Sequence, residues 1–185
     1  MTESFLGEVG NKIKGTIIGT LKGVDEVYDT LFDTVRGNVV SLLEGAGDVT
    51  AAATTSVRDV VLGAIYGAKD VGTASTEAIS AVVGGTLKGV SEAGGDAIGA
   101  TRDTVSAAVK GASDVGTDVT DVAVKSVKAA IDAIREVGGD VGRATEEAVM
   151  GAVAGAGDIG TETANAVRDV LSSTVNGAKE VIHKL

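Results

Sequence analysis

The sequence predicts an all-α protein built on one long, nearly straight amphipathic helix. Three observations favour this fold class. Acidic residues recur every eleven positions in one unbroken phase, and twelve of the fifteen such positions from Glu26 to Glu180 are acidic. Apolar residues fall three and four apart within each repeat, which is the spacing of a helix and not of a strand. Proline is absent, and no Gly/Ser-rich gap interrupts the pattern.

The eleven-residue period also predicts how the helix packs. Eleven residues in three turns give about 3.67 residues per turn, so the apolar stripe runs almost parallel to the helix axis with a slight right-handed drift. Five of the eleven positions are apolar, a stripe too wide for a two-stranded heptad coil. We therefore expect uninterrupted hendecad repeats from about residue 4 to 183, with short irregular termini, as a single region 1–185. This helix would pack in a multi-helix bundle, tube or filament, although a phase-preserving turn at Gly94–Gly95 or Gly138–Gly139 remains open.

A second period of 22 residues lies on top of the first. The third position is Gly in alternate repeats and mainly Val in the others, which would let ridges of one helix fit hollows of the next. In the second set, positions five and nine are small, so a neighbouring backbone can approach closely. The predicted small edge for helix packing comprises Gly19, Gly23, Gly63, Gly67, Gly85, Gly89, Gly111, Gly151, Gly155 and Gly177. The predicted apolar face comprises Val60, Val61, Ile65, Val82, Val83, Leu87, Val105, Val109, Val127, Ile131, Val149 and Val153.

The many glycines make an isolated helix unstable. Each glycine inside a helix costs about 1 kcal/mol relative to alanine, and a lone straight helix buries few of its apolar side chains. The apolar face must therefore be covered by other copies, by a folded-back part of the same chain, or by lipid.

A β-solenoid is the alternative fold. Gly, Val, Thr and Asp at a 22-residue period fit such a fold, but the three-four spacing and the abundant alanine favour helix.

Composition excludes several classes of function. The net charge is −10, and aromatic residues are 2% of the chain, so the basic patches and stacking platforms of a nucleic-acid-binding protein are missing. There is no cysteine for disulfides or thiolate metal sites. Neither a signal peptide nor a conventional membrane span is predicted. The localisation is unknown, with the cytoplasm as the default.

No catalytic site is predicted. GAGDIG at residues 155–160 fits the dinucleotide fingerprint GxGxxG, but the required preceding strand is not predicted. The single histidine, His183, lies three residues from the end, where a solvated helix terminus is the expected setting. We therefore expect no enzyme activity, no cofactor, no metal and no small-molecule substrate.

The uninterrupted phase, seen in DVVLGAIYGAK (59–69) and DTVSAAVKGAS (103–113), resembles that of the hendecad coiled-coil proteins. The resemblance covers nearly the whole chain and implies homo-oligomeric helices in a nearly straight or right-handed bundle. A weaker similarity links the period to late-embryogenesis-abundant proteins, which are far more hydrophilic. The synuclein-, perilipin- and apolipoprotein-like helices share the period too, but they usually flank their apolar face with lysines.

These observations predict a structural protein that self-assembles into homo-oligomeric bundles or filaments. The alternative is an amphipathic-helix coat that binds lipid or another hydrophobic surface, or a desiccation-type protectant.

Overall fold

The computed structural model describes residues 6–23, 25–45 and 49–185, and within these ranges the chain forms nine α-helices. The described part contains no β-strand, so the β-solenoid alternative is not supported. The predicted helix start near residue 4 lies outside the described residues. The helices are α1 (Glu8–Leu21), α2 (Val27–Gly45), α3 (Val49–Asp70), α4 (Thr76–Glu92), α5 (Ala97–Val115), α6 (Val119–Glu136), α7 (Val141–Ile159), α8 (Thr161–Thr174) and α9 (Ala178–His183).

The all-α class is confirmed, but the single continuous helix predicted from about residue 4 to 183 is wrong. The third-position glycines of alternate repeats are turn residues, not packing hollows. Gly72, Gly94, Gly116 and Gly138 have φ between +75° and +80°, a left-handed conformation that ends a helix and that glycine adopts without steric cost. They lie 22 residues apart, so one helix and one turn fill one 22-residue unit and the hendecad phase is never reset.

Each turn ends one helix and starts the next with local hydrogen bonds. After Gly94, the Gly95 N–H donates to the Val90 carbonyl at 2.8 Å, the bond of a Schellman motif. The Asp96 carboxylate then caps α5 by accepting from the Gly99 N–H at 2.9 Å. The turn after α6 repeats this arrangement. The two turn sites that the sequence left open are therefore both turns.

Helices two apart in the chain lie side by side, and consecutive helices form antiparallel hairpins. The odd helices α1, α3, α5 and α7 form one layer, and the even helices α2, α4, α6 and α8 form the other. Two ion pairs between α4 and α6 give the direction: Glu77 with Lys125, and Lys88 with Glu136, lie at opposite ends of α4. Each pair joins residues 48 positions apart, so the two helices run parallel in one register.

One continuous core lies between the layers. All twelve residues of the predicted apolar face are buried in it, and Ile131, at 9% exposure, is the most accessible of them. The chain therefore covers its own apolar face by folding back, which was one of the three covers that the sequence required. Burying apolar surface in this way stabilises helices whose glycine content would otherwise leave them unfolded.

Candidate interaction surface

In α3, α4 and α7 the predicted small edge faces the helix two earlier in the chain. A Cβ added to Gly89 would lie 2.8 Å from the carbonyl oxygen of Arg36, and one added to Gly155 would lie 2.6 Å from that of Ser106. Both distances are shorter than real Cβ contacts, so a larger side chain would push the two helices apart. The same close approach occurs at Gly63, Gly67, Gly85 and Gly151.

The remaining predicted edge residues lie in different places. A Cβ on Gly111 would meet the Ile65 side chain of α3 at 2.8 Å. Gly177 has φ of +83° in the turn between α8 and α9. Gly19 and Gly23 face open space, because no atom of the described part comes within 4 Å of a Cβ placed there. The ten residues therefore do not form one continuous edge.

Ion pairs also join helices two apart. Arg102 of α5 binds Glu147 of α7 through two hydrogen bonds, from Nε at 2.9 Å and from Nη2 at 3.2 Å. Between α4 and α6, the hydrogen bond from Lys125 lowers the pKa of Glu77 and raises the pKa of Lys125. These side chains are largely exposed, so each pair contributes little stability by itself. Their effect is to fix the register between helices.

One polar contact in this series involves a buried tyrosine. The Tyr66 hydroxyl of α3 donates to the Asp114 carboxylate of α5 at 2.5 Å, and the Tyr66 residue is only 7% exposed. Burial, and then the hydrogen bond to Asp114, raise the pKa of Tyr66 well above its ordinary value. The contact is structural, since it joins two inner helices.

Within the described part of the chain, no helix lies two before α1 or α2 to cover their outer side. We call the solvent-facing side of α1 and α2 the end face. Its nine residues, all exposed, are Glu8, Lys12, Gly15 and Gly19 of α1, Lys22 directly after α1, and Asp33, Gly37, Ser41 and Glu44 of α2.

A groove of about 450 Å³ runs across the end face between the start of α1 and the end of α2. Apolar side chains of Val9, Ile13 and Leu42 form its floor, and polar residues border it. The lining residues are Glu8, Val9, Lys12, Ile13, Asn38, Ser41, Leu42 and Gly45.

Charged side chains of both signs lie on the end face. On the side of α1 they are Glu8, Lys12 and, directly after the helix, Lys22, whereas α2 exposes Asp33 and Glu44. Asp33 lies 3.3 Å from Arg36 in its own helix. Lys12, Lys22 and Glu44 form no ion pair with any described residue. The end face is therefore acidic along α2 and of mixed charge on the side of α1.

Sequence reasoning did not single out this face. The first position of the repeat is Gly15 in α1 and Gly37 in α2, but it is also non-acidic at Ala81 in α4 and Lys125 in α6. The loss of an acidic residue therefore does not distinguish α1 and α2 from later helices, and the face is recognisable only once the packing of the helices is known.

The other candidate motifs gain no chemical role. GAGDIG at 155–160 covers the end of helix α7, and its first glycine packs against α5. No group of three or more His, Cys, Asp or Glu in the described ranges is placed to hold a metal ion. Nor does any helix of the described part have the length and hydrophobicity needed to cross a membrane.

Comparison with known protein families finds no family model that matches the chain, and comparison with curated proteins finds no significant match.

Proposed function

We propose that this is a structural protein without enzyme activity that associates with further copies of itself through the end face. The observation that carries the proposal is the open small surface of α1 and α2. In α3, α4 and α7, equivalent small residues receive the backbone of the helix two earlier. In α1, no described atom lies within 4 Å of a Cβ placed at the equivalent Gly19. The small surface that packs against another helix in α3, α4 and α7 is therefore present in α1 without a packing partner in the described part.

Repeat arrays bury each unit against its neighbours, and their terminal units need either a polar cap or a partner. The end face carries three glycines, Gly15, Gly19 and Gly37, with no described atom within 4 Å of an added Cβ, and an apolar groove crosses it. These features support a packing partner over a solvated cap. A second copy supplies a partner whose helices already present small residues with open space around them.

A lipid coat is the weaker candidate because the apolar side chains are already covered. Among the described residues, the large apolar side chains that are exposed are Tyr28 at 47% and Leu185 at 56%. Binding a lipid surface through the apolar face would require the core to open first. No contact among the described residues would compensate for the free energy lost by opening the core.

The test is the mass of the purified full chain in solution. We expect sedimentation velocity at about 10–200 μM, the range for an interface of modest area, to give a mass above the 18.2 kDa of the chain. Circular dichroism should show strong helicity in buffer that lipid droplets do not increase. A fully helical 18.2 kDa monomer over the whole range would refute self-association, and a coil that becomes helical only on lipid would favour the coat.

A further inference from the structure

We infer that the α1–α2 hairpin has two packing positions on α3 and α4, one helical turn apart, and that the Phe32 ring holds it in the observed one. We call the second the shifted position. A one-turn shift of one helix past another is an established form of conformational change. The packing of the hairpin on α3 and α4 is internal to the chain, so the shift is independent of self-association.

Two equivalent interfaces of the array differ in register by one turn. In α2–α4, a Cβ added to Gly85 would lie 2.5 Å from the Phe32 carbonyl oxygen, which is an offset of 53 positions. In α5–α7, 66 positions later in the repeat, Gly151 lies against the Arg102 carbonyl, an offset of 49 positions. The difference of four residues corresponds to about 6 Å along the helix axis. The same kind of close contact therefore forms in either register.

The spacing of the glycines allows α2 to reach the shifted position. Gly89 now lies against the Arg36 carbonyl, and a one-turn slide of α2 would bring that carbonyl to Gly85. On α3, α1 has the same offset of 53 positions, since Gly63 lies against Gly10. The two helices of the hairpin therefore share one register and can move as a unit.

The length of α3 provides for the movement. It has 22 residues, whereas α4, α5, α6 and α7 have 17 to 19. In the phase of the repeat, α5 begins at the equivalent of position 53 (97 − 44), and α3 begins four positions earlier, at 49. In the shifted position the end of α2 would lie about 6 Å further from the start of α3. Unwinding the additional first turn of α3 supplies this length and gives α3 the same start as α5.

The Phe32 ring favours the observed position. A Cβ added to Gly84 would lie 3.0 Å from this ring, so the ring fills the space beside the glycine. In α5–α7 the equivalent residues are Ile98 and Met150, so that interface has neither an aromatic ring nor a glycine at this place. A one-turn slide would carry the ring from Gly84 to Ser80, which has a side chain of its own.

An ion pair favours the same position. Arg36 Nη1 lies 3.7 Å from Glu92 Oε1, 56 positions later, whereas the equivalent Arg102 of α5 pairs with Glu147, 45 positions later. The residue 45 positions after Arg36 is Ala81, so the shifted hairpin would lack the acidic partner that Arg102 has. Because exposed ion pairs contribute little by themselves, the ring is the larger part of the latch.

The experiment gives α2–α4 the residues of α5–α7 in the full chain, with Phe32→Ile, Ala81→Glu and Gly84→Met together. The chain has no cysteine, so Ser41→Cys and Glu77→Cys, both at exposed positions, carry two nitroxide labels on α2 and α4. At the observed offset position 41 is level with position 94 (41 + 53), which is 17 residues, or about 26 Å, beyond position 77. We expect double electron–electron resonance to give a distance shorter by about 6 Å in the triple variant than in the parent.

A second variant and two controls isolate the effect of the ring. Phe32→Ala removes the ring alone, and we expect the shorter distance to rise from below about 10% of the molecules in the parent to a clearly resolved second population. Tyr28→Ala removes another aromatic ring of α2, which is 47% exposed, and should keep the parent distance. Labels at Ser113→Cys and Glu146→Cys, on α5 and α7, should give one distance in every variant. Circular dichroism verifies that each variant is folded.

A distance shorter by about 6 Å in the triple variant, with both controls unchanged, supports the two packing positions. A folded triple variant that keeps the parent distance overturns them. If the triple variant does not fold, Phe32→Ala decides: a second, shorter distance supports the latch, and the parent distance alone overturns it. An equal shift in Tyr28→Ala overturns the assignment of the latch to Phe32. None of these results bears on self-association, which sedimentation tests separately.

Discussion

Replacing Gly155 by alanine should destabilise the protein, although alanine is the better helix former. The added Cβ would lie 2.6 Å from the Ser106 carbonyl oxygen and 3.1 Å from the Ser106 Cα. Ordinary contacts begin at 3.4 Å, so α5 and α7 would have to separate by several tenths of an ångström. Both neighbours are backbone atoms, which cannot turn aside as a flexible side chain can.

The matched control is Gly157→Ala, two residues further along α7. No atom of the described part lies within 4 Å of a Cβ at Gly157, so this variant keeps the helix-propensity gain of up to about 1 kcal/mol. Gly155→Ala has a similar gain but adds an overpacking cost of about 1–3 kcal/mol. The difference between the two variants isolates the cost of the close approach, because the propensity gain largely cancels.

Urea unfolding followed by circular dichroism at 222 nm measures this difference, at one protein concentration for the parent and both variants. We expect the free energy of unfolding of Gly155→Ala to lie about 1–3 kcal/mol below that of Gly157→Ala, with equal m-values. If Gly155→Ala proves as stable as its control, the α5 and α7 backbones are not in contact there, and the account of the small edge is wrong.

Three further changes test the turns, the caps and the buried tyrosine. Gly116→Ala, at φ of +77°, should lower the free energy of unfolding by about 1–2 kcal/mol in the same urea assay. Asp118→Ala should cost about 1 kcal/mol at neutral pH. Hydrogen bonds from the Asp121 N–H and from the Thr120 hydroxyl and N–H lower the pKa of Asp118. Its contribution is therefore present above an unfolded-state pKa of about 4 and is lost as the pH falls through the folded-state value, so we expect the cost to shrink in acid. Because burial and Asp114 raise the pKa of Tyr66, the stability should decline above about pH 10, where the unfolded tyrosine ionises first, and Tyr66→Phe should flatten that decline. A free energy of unfolding of Gly116→Ala that is not below that of Gly157→Ala, or pH profiles unchanged by the other two substitutions, would contradict these assignments.

The periodic pattern by itself determined the type of secondary structure and the buried side. Apolar residues three and four apart specify a helical face, and residues such as Val60, Val82, Val105 and Val149 are all fully buried in the core. The pattern also contained the 22-residue unit. These features depend on local spacing, which is the same in every arrangement that buries one face of a helix.

The same pattern could not decide between one long helix and many short ones. A chain that turns once every 22 residues keeps the hendecad phase as well as a straight rod does, because one helix and one turn together occupy one 22-residue unit. The distinguishing signal was chemical: Gly94 is followed two residues later by Asp96, and Gly138 by Asp140. A left-handed glycine and an aspartate cap together end one helix and start another, so position three reported a turn where packing had been predicted.

Only the tertiary structure decided the register between helices and which small residues remain open. Gly85 lies against Phe32, 53 positions earlier, whereas Gly155 lies against Ser106, 49 positions earlier, a difference of about one helical turn. At Gly84 an added Cβ would meet the Phe32 ring at 3.0 Å, so the Phe32 side chain lies at the contact where the register between helices differs. Such contacts join residues far apart in the chain, so local spacing does not specify them. A repeat that is alike in every helix also carries no information about which helices have a surface that no other described helix covers.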